Sequence, residues 1–255
     1  MTPFAETALW AVALTALAHA AGFFIRGAFG FGSNLPIVVA TTWLLGPHHA
    51  IVLVILTATF AQAQLFPQGI RHADWPLVLR LVVGVYIGIA VGTYIFVSLP
   101  ASALAPILGA LVIVIVAMDR LRLIQRLAAV VDLSGRALTA ALSVVSGFVG
   151  TVSGGGGIYF LAPFLRHMCP TPLGFRSTNL ALSGVFIFGR VAFLAVAGLV
   201  DATTTIEALL LMPAALLGGW AGGRWFRRAD PDRFFKALSA MLLAGAVLLI
   251  GRGLI

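Results

Sequence analysis

Ten apolar segments, cut by glycine, proline or charge, follow one another along the chain at roughly 7–27, 32–45, 50–66, 77–98, 103–118, 137–152, 156–168, 178–198, 205–223 and 234–251. No stretch between them is polar enough to form a water-soluble domain, and that restricts the chain to folds whose solvent is lipid. In hydrocarbon every backbone amide must find a partner inside the protein. Helices of about 20 residues, and no fewer than about 17, meet that condition while crossing the bilayer. Composition agrees: 61% of the residues are hydrophobic, 9% are charged and the mean hydropathy is +1.08. A soluble globule of 255 residues could not cover so much apolar surface. The expected class is an all-α, polytopic membrane protein.

Segments 7–27, 77–98 and 178–198 are long enough to cross alone, whereas 32–45 and 156–168 are too short. Each short segment follows a glycine-rich turn, Gly27-Ala28-Phe29-Gly30-Phe31-Gly32-Ser33-Asn34 in the first half and Gly150-Thr151-Val152-Ser153-Gly154-Gly155-Gly156-Gly157 in the second. This is an internal repeat. Laying Gly27 on Gly150 also lays Gly32 on Gly155 and Pro47 on Pro170; after a longer loop, Gly88, Gly92 and Pro100 fall on Gly219, Gly223 and Pro231. The expected units are 1–118, a polar linker 119–136 carrying Arg120, Arg122, Arg126 and Arg136, and 137–255.

Five segments per half is an odd number, so if all cross, the second half lies upside down relative to the first. Charge tests this independently. With the N-terminus outside, the cytoplasmic loops hold Arg26, Arg71, Arg80, the linker arginines, Arg166, Arg176, Arg224, Arg227, Arg228, Arg233 and Lys236. Outside stands Arg252, among Glu6, His48, His49, Asp201 and Glu207. That is the asymmetry of the positive-inside rule. The expectation is ten transmembrane segments as two inverted five-segment repeats in a bacterial inner membrane, with both termini periplasmic.

A segment of about 14 residues rises only about 21 Å, short of a hydrocarbon core of about 30 Å, so the turn before it is recessed into the membrane. Non-helical backbone at that depth must line protein or a water-filled cavity. Clustered glycines admit a ligand close to the backbone, and the following helix N-terminus points free N–H groups and positive partial charge at it. Such a cavity prefers an anion, and paired interrupted segments in inverted repeats point to a transporter's substrate site. Candidate binding residues are therefore Gly30, Gly32, Ser33 and Asn34 in the first turn and Ser153, Gly154, Gly155, Gly156 and Gly157 in the second. Gly88, Gly92, Gly219 and Gly223, spaced by four on long segments, read instead as helix-packing positions.

The chain resembles the sulfite exporter TauE/SafE family through Gly-Phe-Gly at 30–32 before a short apolar segment, the second copy at 153–157, and Arg176-Ser177-Thr178-Asn179 opening a long span. The resemblance covers nearly the whole chain. It implies bacterial transport, usually outward, of small sulfur-containing or carboxylate anions such as sulfite, sulfoacetate or related sulfonates. Ser33-Asn34 stands where the family often continues with glycine, and Arg190 where an uncharged or aromatic residue is common, so substrate choice differs here. Asn179 enters the candidate site through this resemblance; Ser177, Thr178 and Asn179 read equally as a helix N-cap.

Arg190 lies about 21 Å beyond Arg176 along its helix, in the outer half of the membrane. Intramembrane arginine is costly and normally faces a cavity or a partner; snorkelling to the outer interface is the competing reading. Arg26 precedes the first turn and serves either an anion vestibule or the positive-inside anchor. Gln62, with Gln64, Thr57 and Thr59, offers donors to anion oxygens or bonds between helices. His19, inside the first segment, reads as a neutral histidine bonded to a carbonyl, with proton coupling as the competing reading. No Asp or Glu falls in the middle of a segment, which argues against a carboxylate proton shuttle and leaves the membrane potential to drive anions outward.

A formal charge of +8 comes from scattered arginines without a stacking stripe, so nucleic acid is not a partner. Cys169 is the one cysteine, and no metal-ligand spacing or cofactor motif occurs. The partners expected are a small anion and the lipid bilayer, with self-association into a homo-oligomer left open. A membrane-embedded enzyme would need a nucleophile–base pair or metal ligands within the bilayer, and a non-transporting scaffold would not need duplicated recessed turns.

Overall fold

The computed structural model describes residues 4, 7–29, 32–121, 126, 135–155, 157, 161, 164–165, 167–169, 171–225, 240, 243 and 247. Among these residues the secondary structure is helical, without strands: α1 (Leu9–Phe29), α2 (Asn34–Leu45), α3 (Pro47–Ile70), α4 (Trp75–Ser98), α5 (Ala101–Arg120), α6 (Arg136–Val152), α7 (Pro172–Val196) and α8 (Ala202–Trp225). Five of them, α1, α3, α4, α7 and α8, are long and apolar enough to cross a membrane. The first short segment, read as 32–45, forms α2, which begins at Asn34 and is 12 residues long. Most of segments 156–168 and 234–251 and of the linker 119–136 lies outside the described residues.

Helix starts follow local chemistry. Asp74 caps α4, its carboxylate accepting from Leu77 N–H at 3.0 Å with proline in the first turn. Thr171 caps α7 by accepting from Gly174 N–H, again with proline beside it. The long span therefore opens at Pro172, and Ser177, Thr178 and Asn179 lie inside the helix rather than at its cap, a correction to the boundary read at 178. Asp201 caps α8, accepting from Thr204 N–H at 2.7 Å. That hydrogen bond holds the exposed carboxyl below its ordinary pKa.

α1 packs on α8 and α2; α4 packs on α6 and α7; α3 packs on α2, α7 and α8. Small residues set these seams. A Cβ at Gly84 would meet Ser143, at Gly88 the Val144 carbonyl, and at Gly92 the Thr151 side chain, so α4 and α6 touch backbone to backbone. On the α1–α8 seam, Gly218 lies against the Ala20 carbonyl, Gly222 against the Phe24 carbonyl and Gly27 against that of Gly219. The tight positions on α8 are thus one residue earlier than Gly219 and Gly223, whose own Cβ positions meet only ordinary contacts at 3.8 and 3.7 Å. On the opposite face of α4, Leu79, Val83, Ile87, Val91 and Tyr94 are exposed at helical spacing, a surface suited to lipid tails.

Candidate functional site

The two glycine turns meet inside the bundle. Gly32 takes φ +95°, and Gly154 and Gly155 take +79° and +150°, conformations that favour glycine and break the helical path after α1 and α6. A Cβ at Gly155 would collide with the Asn34 side chain, so the second turn lies directly on the start of α2. Ser146 on α6 donates its hydroxyl to the Gly157 carbonyl, which satisfies one of the acceptors that irregular backbone leaves at this depth.

Between the turns is a cavity of about 50 Å³ lined by Arg26, Gly32, Ser33, Asn34, Ile55, Gly150, Gly155, Gly157, Ser183, Phe186, Ile187 and Arg190. One water needs roughly 10–15 Å³ on this measure, so the space suits a small oxyanion or a few waters. Arg26 comes from α1 and is 4% exposed; Arg190 comes from α7 and is 2% exposed. Arg26 donates Nη2 to the Gln62 side-chain oxygen, and Arg190 donates Nη2 to the Thr151 carbonyl at 2.8 Å. Both Nε atoms are buried without a partner among the described residues.

Neither guanidinium has a carboxylate within ion-pair distance among the described residues. Three acids are engaged elsewhere: Asp74 and Asp201 cap helices, and Glu207 pairs with His49 at 2.6 Å. Burying a charge without compensation costs several kcal/mol per ion, of the order recovered only by an opposite charge with good hydrogen-bond geometry. Two such cations line one cavity, and an anion there would supply the missing counter-charge. Ser33 donates its hydroxyl to Asn34 Oδ1 at 2.8 Å, which fixes the amide so that its NH₂ end is the group left to donate.

The structure brings together Arg26, Gly32, Ser33, Asn34, Gly155, Gly157 and Arg190 from the sequence reading. Both guanidiniums are buried at the cavity rather than exposed at a helix end. Gln62 stands behind the cavity, bridging Arg26 to the Leu180 carbonyl, which it reaches at 2.9 Å. Thr57 and Thr59 bond carbonyls of their own helix, and Gln64 is exposed, so none of the three faces the site. Ser153 donates to the Val149 carbonyl and Gly154 packs on Val38. Asn179 is fully buried, and both atoms of its amide lack a partner among the described residues. Gly30 and Gly156 lie outside the described residues.

Ser183, Phe186 and Ile187 on α7, like Ile55 on α3, line the cavity without standing out in the sequence. With Arg190 the three α7 residues recur at i, i+3, i+4 and i+7, the spacing of a single helix face, and Asn179 extends that face by one turn. Periodicity through Arg190 was the available signal. Comparison with known proteins adds one match: a family model described as Sulfite exporter TauE/SafE matches residues 14–249. No curated protein and no solved structure matches the chain.

Proposed function

The chain belongs to the sulfite exporter TauE/SafE family, and on that premise we propose that it exports small sulfur-containing anions such as sulfite, sulfoacetate or other sulfonates by exposing the cavity alternately to the two sides of the membrane. The observation that carries this reading is the pair Arg26 and Arg190, buried cations on one cavity with no acidic partner among the described residues. Asn34 and Ser183 add neutral donors, and Ile55, Phe186 and Ile187 form an apolar wall. An anion carrying a small organic group meets both. An interior-negative potential favours its exit by about 2.3 kcal/mol per net charge per 100 mV, roughly a fifty-fold gradient.

The proposed architecture is ten crossings in two inverted repeats, 1–118 and 137–255, joined by a cytoplasmic linker 119–136, in the inner membrane with both termini periplasmic. Helix packing supports it. The sequence repeat pairs α1 with α6, α3 with α7 and α4 with α8, and exchanging partners converts the α1–α8 seam into the α6–α4 seam. A pseudo-two-fold arrangement has that property. Flux of sulfite, sulfoacetate, methanesulfonate, acetate and potassium into proteoliposomes tests the function. Sulfur oxyanions are expected to move well above the protein-free rate while potassium does not; equal rates for all solutes would contradict the reading.

A further inference from the structure

α1 carries buried polar groups beyond the cavity whose hydrogen-bonding capacity is unused. His19 is 0% exposed, and its Nδ1 lies 2.8 Å from the Thr15 carbonyl oxygen. A carbonyl only accepts, so Nδ1 carries the proton and Nε2 presents a bare lone pair. Nε2 has no partner among the described residues, and neither has the buried Thr15 hydroxyl. Thr15, His19, Gly22 and Arg26 follow one another at intervals of four, three and four, a single face of the helix. Gly22 lies against Ile37 of α2 and Arg26 lines the cavity, so this face is turned inward. His19 stands seven residues from Arg26, on the order of 10 Å along the axis.

Few charges surround it among the described residues. α2 contributes no ionisable side chain; α8 brings Glu207, tied to His49 and to Phe4 N–H, and Arg224, which lies over the Trp220 ring. On its own helix the charge is Arg26, and across the cavity it is Arg190. The charged side chains of the neighbouring cavity are thus two guanidiniums, and an anion joining them favours a further cation nearby.

We propose that His19 is a proton site linked to the anion site, its Nε2 taking one proton from water when an anion occupies the cavity. The step forms one N–H bond on an existing lone pair as one O–H bond of a water breaks, and leaves hydroxide to the solvent. At about 10 Å and an effective dielectric constant near 20, one pair of unit charges changes affinity by roughly tenfold. Linkage is reciprocal, so the proton strengthens anion binding by the same factor. A dianion accompanied by this proton crosses with one net negative charge instead of two. The inference rests on the anion-site reading above.

The test uses purified full-length protein and sulfoacetate, which stays doubly charged from about pH 5.5 to 8, across the ordinary histidine range. Wild-type affinity is expected to rise about a hundredfold as pH falls through that range, since the dianion sets two unit charges against the imidazolium, with up to one proton taken up per anion in weakly buffered solution. His19→Gln should bind with a flat profile and no uptake, whereas His72→Gln, at an exposed position, should keep both. Histidine ¹⁵N spectra of the wild type give a readout independent of any variant: one ring should convert to imidazolium when sulfoacetate is added. Wild-type binding without proton uptake, or uptake retained in His19→Gln, overturns the proposal and leaves the anion site standing. Absence of binding at every pH removes both.

Discussion

At the scale of single residues, Arg190 concentrates the conflict between stability and function. Its guanidinium is buried on a helix with one hydrogen bond to Thr151 and an unpartnered Nε. Truncating one member of a buried charge pair costs about 2 kcal/mol of binding or more, so Arg190→Ala is expected to weaken sulfoacetate binding at least thirty-fold and abolish transport. The same change removes an uncompensated charge, and thermal stability of the anion-free protein should be unchanged or higher. Arg190→Lys keeps a point charge without the planar fork and should retain part of the flux. Flux assays at matched protein level and thermal melting in detergent check the two halves together. Wild-type transport by the Ala variant would show that the cation is not used.

Among the elements, the seams between helices decide which glycines matter. Gly88 and Gly223 both sit in four-residue glycine spacings, and sequence treats them alike. In the bundle, a Cβ at Gly88 collides with the Val144 carbonyl, whereas one at Gly223 meets the Gly27 carbonyl only at 3.7 Å. Gly88→Leu must separate α4 from α6 and is expected to destabilise by about 1–3 kcal/mol, as overpacking usually does. Gly223→Ala should be neutral or stabilise by up to about 1 kcal/mol, the usual helix-interior difference. Melting temperatures of the two variants separate a packed seam from a mere spacing.

For the whole molecule, the charge distribution supports the proposed orientation. Arginines gather in the loops assigned to the cytoplasm, and the paired His49 and Glu207 stand at the opposite ends of α3 and α8, as do Asp201 and the N-terminal Phe4 that donates to Glu207. A cysteine placed by Ser134→Cys in the linker should resist membrane-impermeant thiol reagents in intact cells and react after permeabilisation, in a Cys169→Ser background. Labelling from outside before permeabilisation would invert the proposed topology.

Chain order alone determined the membrane class, the helical state and the place of the two glycine turns, because each follows from local quantities: apolar run length, breaker residues and charge in loops. It also picked out Arg26 and Arg190, since a cation inside an apolar run stands out wherever it occurs. Whether they meet was not local. Arg26 and Arg190 are 164 positions apart, and their convergence depends on α1 and α7 approaching a common space through α3, with Gln62 bridging them. The same holds for Ser183, Phe186 and Ile187, ordinary residues in an apolar helix until the direction of its inner face is known. Helical periodicity yields the faces, but only the glycine seams, which set how closely and at what rotation the helices pack, select the one turned to the cavity.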